Sequence, residues 1–390
     1  MPGKPGKTVA LAWQSPAQEL HRNEEVGLVP GMPVDLDDLD ALRRLDRAGA
    51  LSLVDDYTRQ FREAWGRVEQ ADLAGIPMPD HVLILGTGGG SATAATLLRT
   101  YLYDRSEVPI EICQAYQPPA YLRRTTLVVA VSYSGNTQET LQAYEQAAAS
   151  GVSAVVITAG GELAARARSY GHPVIHVPGG TPPRMAIGYL FMALLGVFHK
   201  LGLAGNTGVE LAEQLGELYA VLAEGARRWG TAMPVTDNEA KQLALALRGH
   251  IPVVYGLNPN TGAVAERWKR QFGENAKVMA FANLLPDAHH DEAVGWEMER
   301  ELFGRFFFIL LTDDQAPRVL QQRVAATVEV LRERAGGVRV VQARGRGRLA
   351  RLFSLVHLGD YVSLYLALLR GIDPTPVPMI EHFKAVLSRS

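Results

Sequence analysis

A single cysteine, Cys113, in 390 residues leaves no intrachain disulfide and no thiolate set for a zinc site. That scarcity suits a reducing cytoplasm. Excess charge of one sign is missing too. Lys and Arg number 39 against 41 Asp and Glu, for a net charge of -2, so no broad field points to nucleic acid or an anionic membrane. A pocket for a small anion survives that exclusion, because a few local groups suffice. Long apolar runs are also lacking. The longest, 185–198, falls short of the about 18 residues a membrane span needs and reads as a buried helix. The first fifteen residues carry lysines but no apolar core of signal-peptide length. Low-complexity tracts and an obvious DNA-binding module are absent. What remains is an ordinary globular balance, 47% hydrophobic and 21% charged, with length for roughly two to three domains of about 150 residues.

Residues 1 to about 40 are rich in Pro and Gly without a sustained period and read as an irregular arm; helical periodicity follows from Asp37 to about Leu73. Short apolar runs then recur at 81–85, 108–112, 127–131, 154–157 and 174–177, with helical segments at 91–103 and 137–149. Strands alternating with helices predict a mostly parallel sheet flanked by helices. A helical stretch over 185–228, broken near 202–208, leads to a linker near 232–237. A second α/β set has strands at 251–255, 278–281, 306–311 and 338–341, and helices at 263–272, 317–335, 349–369 and 377–387. The expected organisation is an arm with a helical extension (1–75) followed by two α/β domains, 76–232 and 233–390.

Gly86-Thr-Gly-Gly-Gly-Ser91 sits where a strand ends and a helix begins. Glycines allow close ligand approach, and the helix start offers free N–H groups to an anion. The same string invites a dinucleotide reading, with Glu111 about twenty residues on as the ribose acid. This turn alone does not separate the two. The next one does: Leu127-Val-Val-Ala-Val-Ser-Tyr-Ser-Gly-Asn-Thr137 is a buried strand entering a turn with three hydroxyls, Ser132, Ser134 and Thr137. Capping a helix takes one such residue; three, with backbone amides, form a neutral cradle for phosphate oxygens.

Two segments of the second half carry candidate chemistry. Glu274 follows a helix expected to end near Gly273, where the negative end of the helix dipole disfavours a carboxylate. Pro286-Asp-Ala-His-His-Asp-Glu292 clusters potential ligands, yet the adjacent His289 and His290 rarely aim at one point and the spacing matches no standard zinc pattern. No metal is expected. Moving a proton between adjacent carbons through an enediol needs a base, a ring-opening group and a cation near the developing oxyanion. A carboxylate, a histidine and a cation meet those needs.

Ser132-Tyr-Ser-Gly-Asn-Thr-Gln-Glu-Thr140 resembles the phosphosugar signature of sugar isomerase (SIS) domains, and the turn before it resembles their first loop with one added glycine. The resemblance implies phosphate-binding roles for Gly89, Gly90, Ser91, Ser132, Ser134 and Thr137. Glu274-Asn-Ala-Lys277 and the 286–292 segment resemble two motifs of the bifunctional phosphoglucose/phosphomannose isomerases, a double-SIS family, with the sixteen-residue gap from glutamate to histidine retained. That likeness implies two flavodoxin-like α/β domains with the active site between them. It also implies metal- and cofactor-free interconversion of glucose and mannose 6-phosphates with fructose 6-phosphate through a cis-enediol. Glu274 would be the base, and His290 the ring-opening group reaching in from the second subunit of a homodimer. His289 replaces the family's asparagine. Arg184, in Thr181-Pro-Pro-Arg184, would stabilise the enediolate, and Lys384 on the C-terminal helix would assist ring opening. Other readings are a non-catalytic SIS sugar-phosphate sensor, or an isomerase of another phosphosugar. An amidotransferase-type isomerase would carry a nucleophilic N-terminal cysteine, and position 2 is proline.

Overall fold

A computed structural model of the chain describes residues 34–387, so most of the arm expected over 1–40 lies outside the described residues. The helical periodicity from Asp37 resolves into three helices: α1 (Leu39–Leu45), α2 (Ala50–Asp55) and α3 (Tyr57–Glu69). Asp46 ends α1, and its carboxylate accepts from the amides of Ala50 and Leu51 at 2.7 and 2.9 Å, which starts α2.

The first half comprises β1 (His81–Leu85), α4 (Ser91–Tyr101), β2 (Ile110–Cys113), β3 (Thr126–Val131), α5 (Gln138–Ala149), β4 (Ser153–Thr158), α6 (Gly161–Ser169) and β5 (Val174–His176). All five strands are parallel, in the order β2-β1-β3-β4-β5, the flavodoxin-like order. Every residue of β3 is buried, as a strand covered by helices on both faces requires.

Helices α7 (Ile187–Lys200), α8 (Gly208–Trp229) and α9 (Glu239–Leu247) join the halves. Thr207 and Glu210 form a reciprocal capping box that starts α8 after the expected break. The second half runs β6 (Ile251–Leu257), α10 (Gly262–Glu274), β7 (Phe281–Leu285), α11 (Ala288–Asp291), α12 (Arg300–Phe303), β8 (Phe306–Thr312), α13 (Arg318–Arg332), β9 (Gly337–Gln342), α14 (Arg348–Leu369) and α15 (Pro378–Leu387). Its sheet, β7-β6-β8-β9, is again parallel and repeats the first order without a fifth strand. The expected α/β fold with two parallel sheets is therefore present.

Two expectations shift. The strand read at 278–281 is β7 at Phe281–Leu285, because the Val278 amide donates to the Phe272 carbonyl at 3.1 Å and closes the end of α10. For the same reason α10 extends through Glu274, which is its last residue rather than the first beyond it. The 22-residue α14 is also long and apolar enough to cross a membrane by length and composition, although no uninterrupted run in it exceeds 185–198. Its apolar window is wholly buried, packed among α2, α8, α9 and α10.

Candidate active site

The order of the first sheet reverses between β1 and β3, the position where open α/β sheets bind ligands beyond the strand C-termini. Both loops singled out in the sequence leave from there. Ser91 opens α4 and is buried. In the second loop the Ser132 hydroxyl donates to Thr137 Oγ1 at 3.0 Å, and the Asn136 amide donates to Ser134 Oγ at 3.2 Å. Thr137 is the N-cap of α5, yet its hydroxyl makes no capping bond. Ser134 is exposed. The three hydroxyls thus ring a helix start without being consumed by it.

The glycine loop leads from this cradle to the second half. A Cβ on Gly89 would stand 2.3 Å from Glu274 Oε1, and one on Gly90 would stand 2.4 Å from the Pro183 carbonyl. Only glycine permits that approach. Gly89, Gly90, Arg184 and Glu274, separated by up to 185 positions in sequence, are brought together here. Arg270 of α10 reinforces the contact, donating to Thr93 Oγ1 at 3.0 Å.

Arg184 is 3% exposed and all its donors are aimed. Nη1 lies 3.6 Å from Glu274 Oε2; Nε donates to Asn275 Oδ1 at 2.6 Å, and Nη2 to the carbonyls of Pro374 and Thr375, each at 2.9 Å. Burial pulls the guanidinium pKa down while the Glu274 charge acts against that. Lys277 joins the same cluster, donating to the Glu274 carbonyl at 2.6 Å and the Pro374 carbonyl at 3.0 Å. Burial first, then the nearby Arg184 charge, push its ammonium down to about 8. Its φ of 54° is the one positive value among described non-glycine residues.

Two expected residues are not in this cluster. Among the described residues no contact links His290 to Glu274 or Arg184; it is exposed on α11. His289 is occupied: Arg323 donates to its Nδ1 at 2.9 Å, which leaves Nε2 to donate to Thr327 Oγ1 at 2.7 Å. Lys384 lies on α15, every residue of which is exposed. Among the described residues no group of three or more His, Cys, Asp or Glu stands together as a metal-ligand set. Asn275 and Lys277, given no role above, lie within the Glu274-Asn-Ala-Lys277 string itself. The carbonyls of Pro374 and Thr375 had no legible signal, since backbone acceptors carry none.

Residues 78–183 match the SIS domain model, and residues 236–387 match that of the bacterial phospho-glucose isomerase C-terminal SIS domain. The chain is 41% identical over 309 residues to a bifunctional phosphoglucose/phosphomannose isomerase of Caldicellulosiruptor bescii, spanning 79% of this chain and 90% of the relative. It is 34% identical over 328 residues to one of Aquifex aeolicus, spanning 83% and 96%. In fold it is similar to a crystal structure of a glucose-6-phosphate isomerase like protein from Thermus thermophilus, with a TM-score of 0.59 at 23% identity over 90% of this chain and 99% of the other.

Proposed function

The chain belongs to the bifunctional phosphoglucose/phosphomannose isomerase family, and on that premise we propose that Glu274 is the base of a metal-independent, cytoplasmic aldose–ketose isomerase acting on glucose and mannose 6-phosphates. The enzyme is a sugar-phosphate isomerase. The single observation that carries the assignment of its base is the seat of the Glu274 carboxylate, against Gly89 of the phosphate loop and 3.6 Å from the Arg184 guanidinium. A sugar phosphate held by Ser132, Ser134, Thr137, Ser91 and the amides of Gly89 and Gly90 would extend its first carbons toward that carboxylate.

In the forward step Glu274 removes the C2 proton of the open-chain aldose. The C–H electron pair becomes the C1–C2 double bond, and the carbonyl pair moves onto O1. Arg184 stabilises that oxyanion. Transfer of the O2 proton to O1 and return of the carboxyl proton to C1 give the ketose. The enediol has no stereocentre at C2, so both epimers share it, and one base serves each when the C2–C3 bond turns to present the other face of C2 to Glu274. His290 and Lys384 open the ring. A homodimer in which His290 enters from the partner is supported by its exposure and by its having, among the described residues, no contact with Glu274 or Arg184 of its own chain. It is supported further by α15, which exposes Met379, Ile380, Phe383, Val386 and Leu387 beside Lys384. Domain limits at 76–232 and 233–390 fit this division of labour, with phosphate held by the first and proton transfer by the second.

The test is fructose 6-phosphate formation from each aldose phosphate with EDTA present, for wild type and Glu274→Gln. Both sugars should turn over in the wild type, and Glu274→Gln should lose about 10²–10⁴-fold in kcat, the usual weight of a general base. Wild type that binds both sugars and converts neither would make a sugar-phosphate sensor, or an enzyme of another phosphosugar, the better reading.

A further inference from the structure

Behind Arg184 lies a polar network buried in the core. Asp360, 1% exposed on α14, accepts from four donor atoms. Arg267 contributes Nε at 3.0 Å and Nη2 at 2.7 Å, Gln271 contributes Nε2 at 2.8 Å, and Tyr57 of α3 contributes its hydroxyl at 2.5 Å. From Asp360 two routes run to Arg184. Arg267 Nη2 donates to the Arg184 carbonyl at 2.9 Å. The Ser363 hydroxyl donates to the Asp360 carbonyl at 2.8 Å and accepts from Asn275 Nδ2 at 2.9 Å, and Asn275 Oδ1 holds Arg184 Nε. A further bond from α3, Gln60 Nε2 to the Met185 carbonyl at 3.0 Å, fixes the next residue of the same short turn, Pro183–Met185.

We infer that Tyr57 is a positioning residue of the isomerisation: through Asp360 and Arg267 it holds the Arg184 guanidinium in register with Glu274, and α3 belongs functionally to the active site. Stability alone gives no reason for this arrangement. A buried ion pair gains little over well-packed apolar residues, and this one leaves Arg267 Nη1 and Gln271 Oε1 buried without partners, which costs further. Geometry supplies the reason. An arginine that must meet an enediolate needs its backbone as well as its side chain held, because a displacement of about 1 Å can cost about a hundred-fold in rate. The helical extension, whose purpose the sequence leaves open, thereby acquires one.

The inference rests on Arg184 acting in the reaction, so the experiment is a double-variant cycle on kcat and KM with Tyr57→Phe, Arg184→Ala and the pair. Tyr57→Phe keeps the ring and removes only the hydroxyl. It should lower kcat by about ten-fold with KM changed less than about two-fold, since the phosphate loops are untouched. In the Arg184→Ala background it should lower kcat no further. A Tyr57→Phe enzyme with wild-type kcat, or one that loses the same factor with Arg184 absent, overturns the inference. An Arg184→Ala enzyme with full activity instead overturns the assignment of Arg184 itself, a separate failure. Should Tyr57→Phe not fold, Arg267→Lys, which alters the next link of the same route, enters the same cycle with the same expected outcomes.

Discussion

His357 shows how a single residue makes this fold sensitive to acid. Its imidazole is 1% exposed on α14, enclosed by the rings of Tyr57, Trp229 and Tyr361. Nε2 donates to the Val54 carbonyl at 3.0 Å, and Nδ1 has no partner. Gly225 of α8 leaves no room at that nitrogen, since a Cβ there would stand 2.6 Å from it. Burial pushes the pKa down to about 4, against smaller raising effects from the Val54 carbonyl and Asp360. Below pH 6.5 the unfolded chain protonates this histidine and the folded one does not. The contribution is therefore complete above about pH 6.5 and is lost as pH falls toward 4, amounting to about 2 kcal/mol by pH 5. Glutamine can keep the donor to Val54 without titrating. Urea unfolding of wild type and His357→Gln at pH 7.5 and 5.0 should show the wild type losing about 2 kcal/mol more than the variant. Equal losses in both would mean that acid sensitivity comes from other groups.

At the scale of elements, α10 and α14 decide whether the site is assembled, because α10 ends on Glu274 and α14 carries Asp360 and Ser363. They pack closely at Gly359, where a Cβ would fall 2.1 Å from Trp268 Nε1. That indole is buried and donates to the Leu355 carbonyl at 2.9 Å, so it cannot swing aside without losing the bond. Gly359→Ala should destabilise by about 1–3 kcal/mol, as overpacking does, and should reduce kcat by shifting α10. A variant that melts with wild type and keeps its kcat would show that the two helices have slack. These elements were largely legible beforehand: eight of the nine strands among the described residues overlap the expected ones closely, and the central ones, covered on both faces, are apolar nearly throughout. β7 is the exception, because Lys277 at φ 54° and the Val278 amide are taken up in closing α10. Of the candidate site, the loops stood out by residue type, and Glu274-Asn-Ala-Lys277 by its resemblance to a family motif. The support behind Arg184 did not: Asp360 is one acid within a long apolar helix, and its link to Tyr57 spans 303 positions.

At the scale of the whole molecule, the question is whether one chain makes one site. Gly89, Arg184 and Glu274 meet within the chain, whereas His290 stands exposed on α11 and Lys384 on the exposed α15. If a twofold dimer supplies His290 from the partner, each site draws its base from one subunit and its ring-opening group from the other. Two inactive variants then complement each other. In a hybrid dimer of Glu274→Gln and His290→Ala, one site carries both substitutions and the other carries neither. Unfolding and refolding the two together makes about half the dimers hybrid with one intact site of two, so about a quarter of wild-type activity should return. Subunits that each hold their own His290 would regain nothing on mixing, since every site keeps one lesion. The proportion of the two variants adds a second check. Activity should peak at equal amounts and fall toward zero as either variant comes to dominate, because only hybrids contain an intact site. A flat response near zero, in a mixture shown by sedimentation to be dimeric, would place His290 beside its own chain's Glu274 and require α11 to close over the substrate instead.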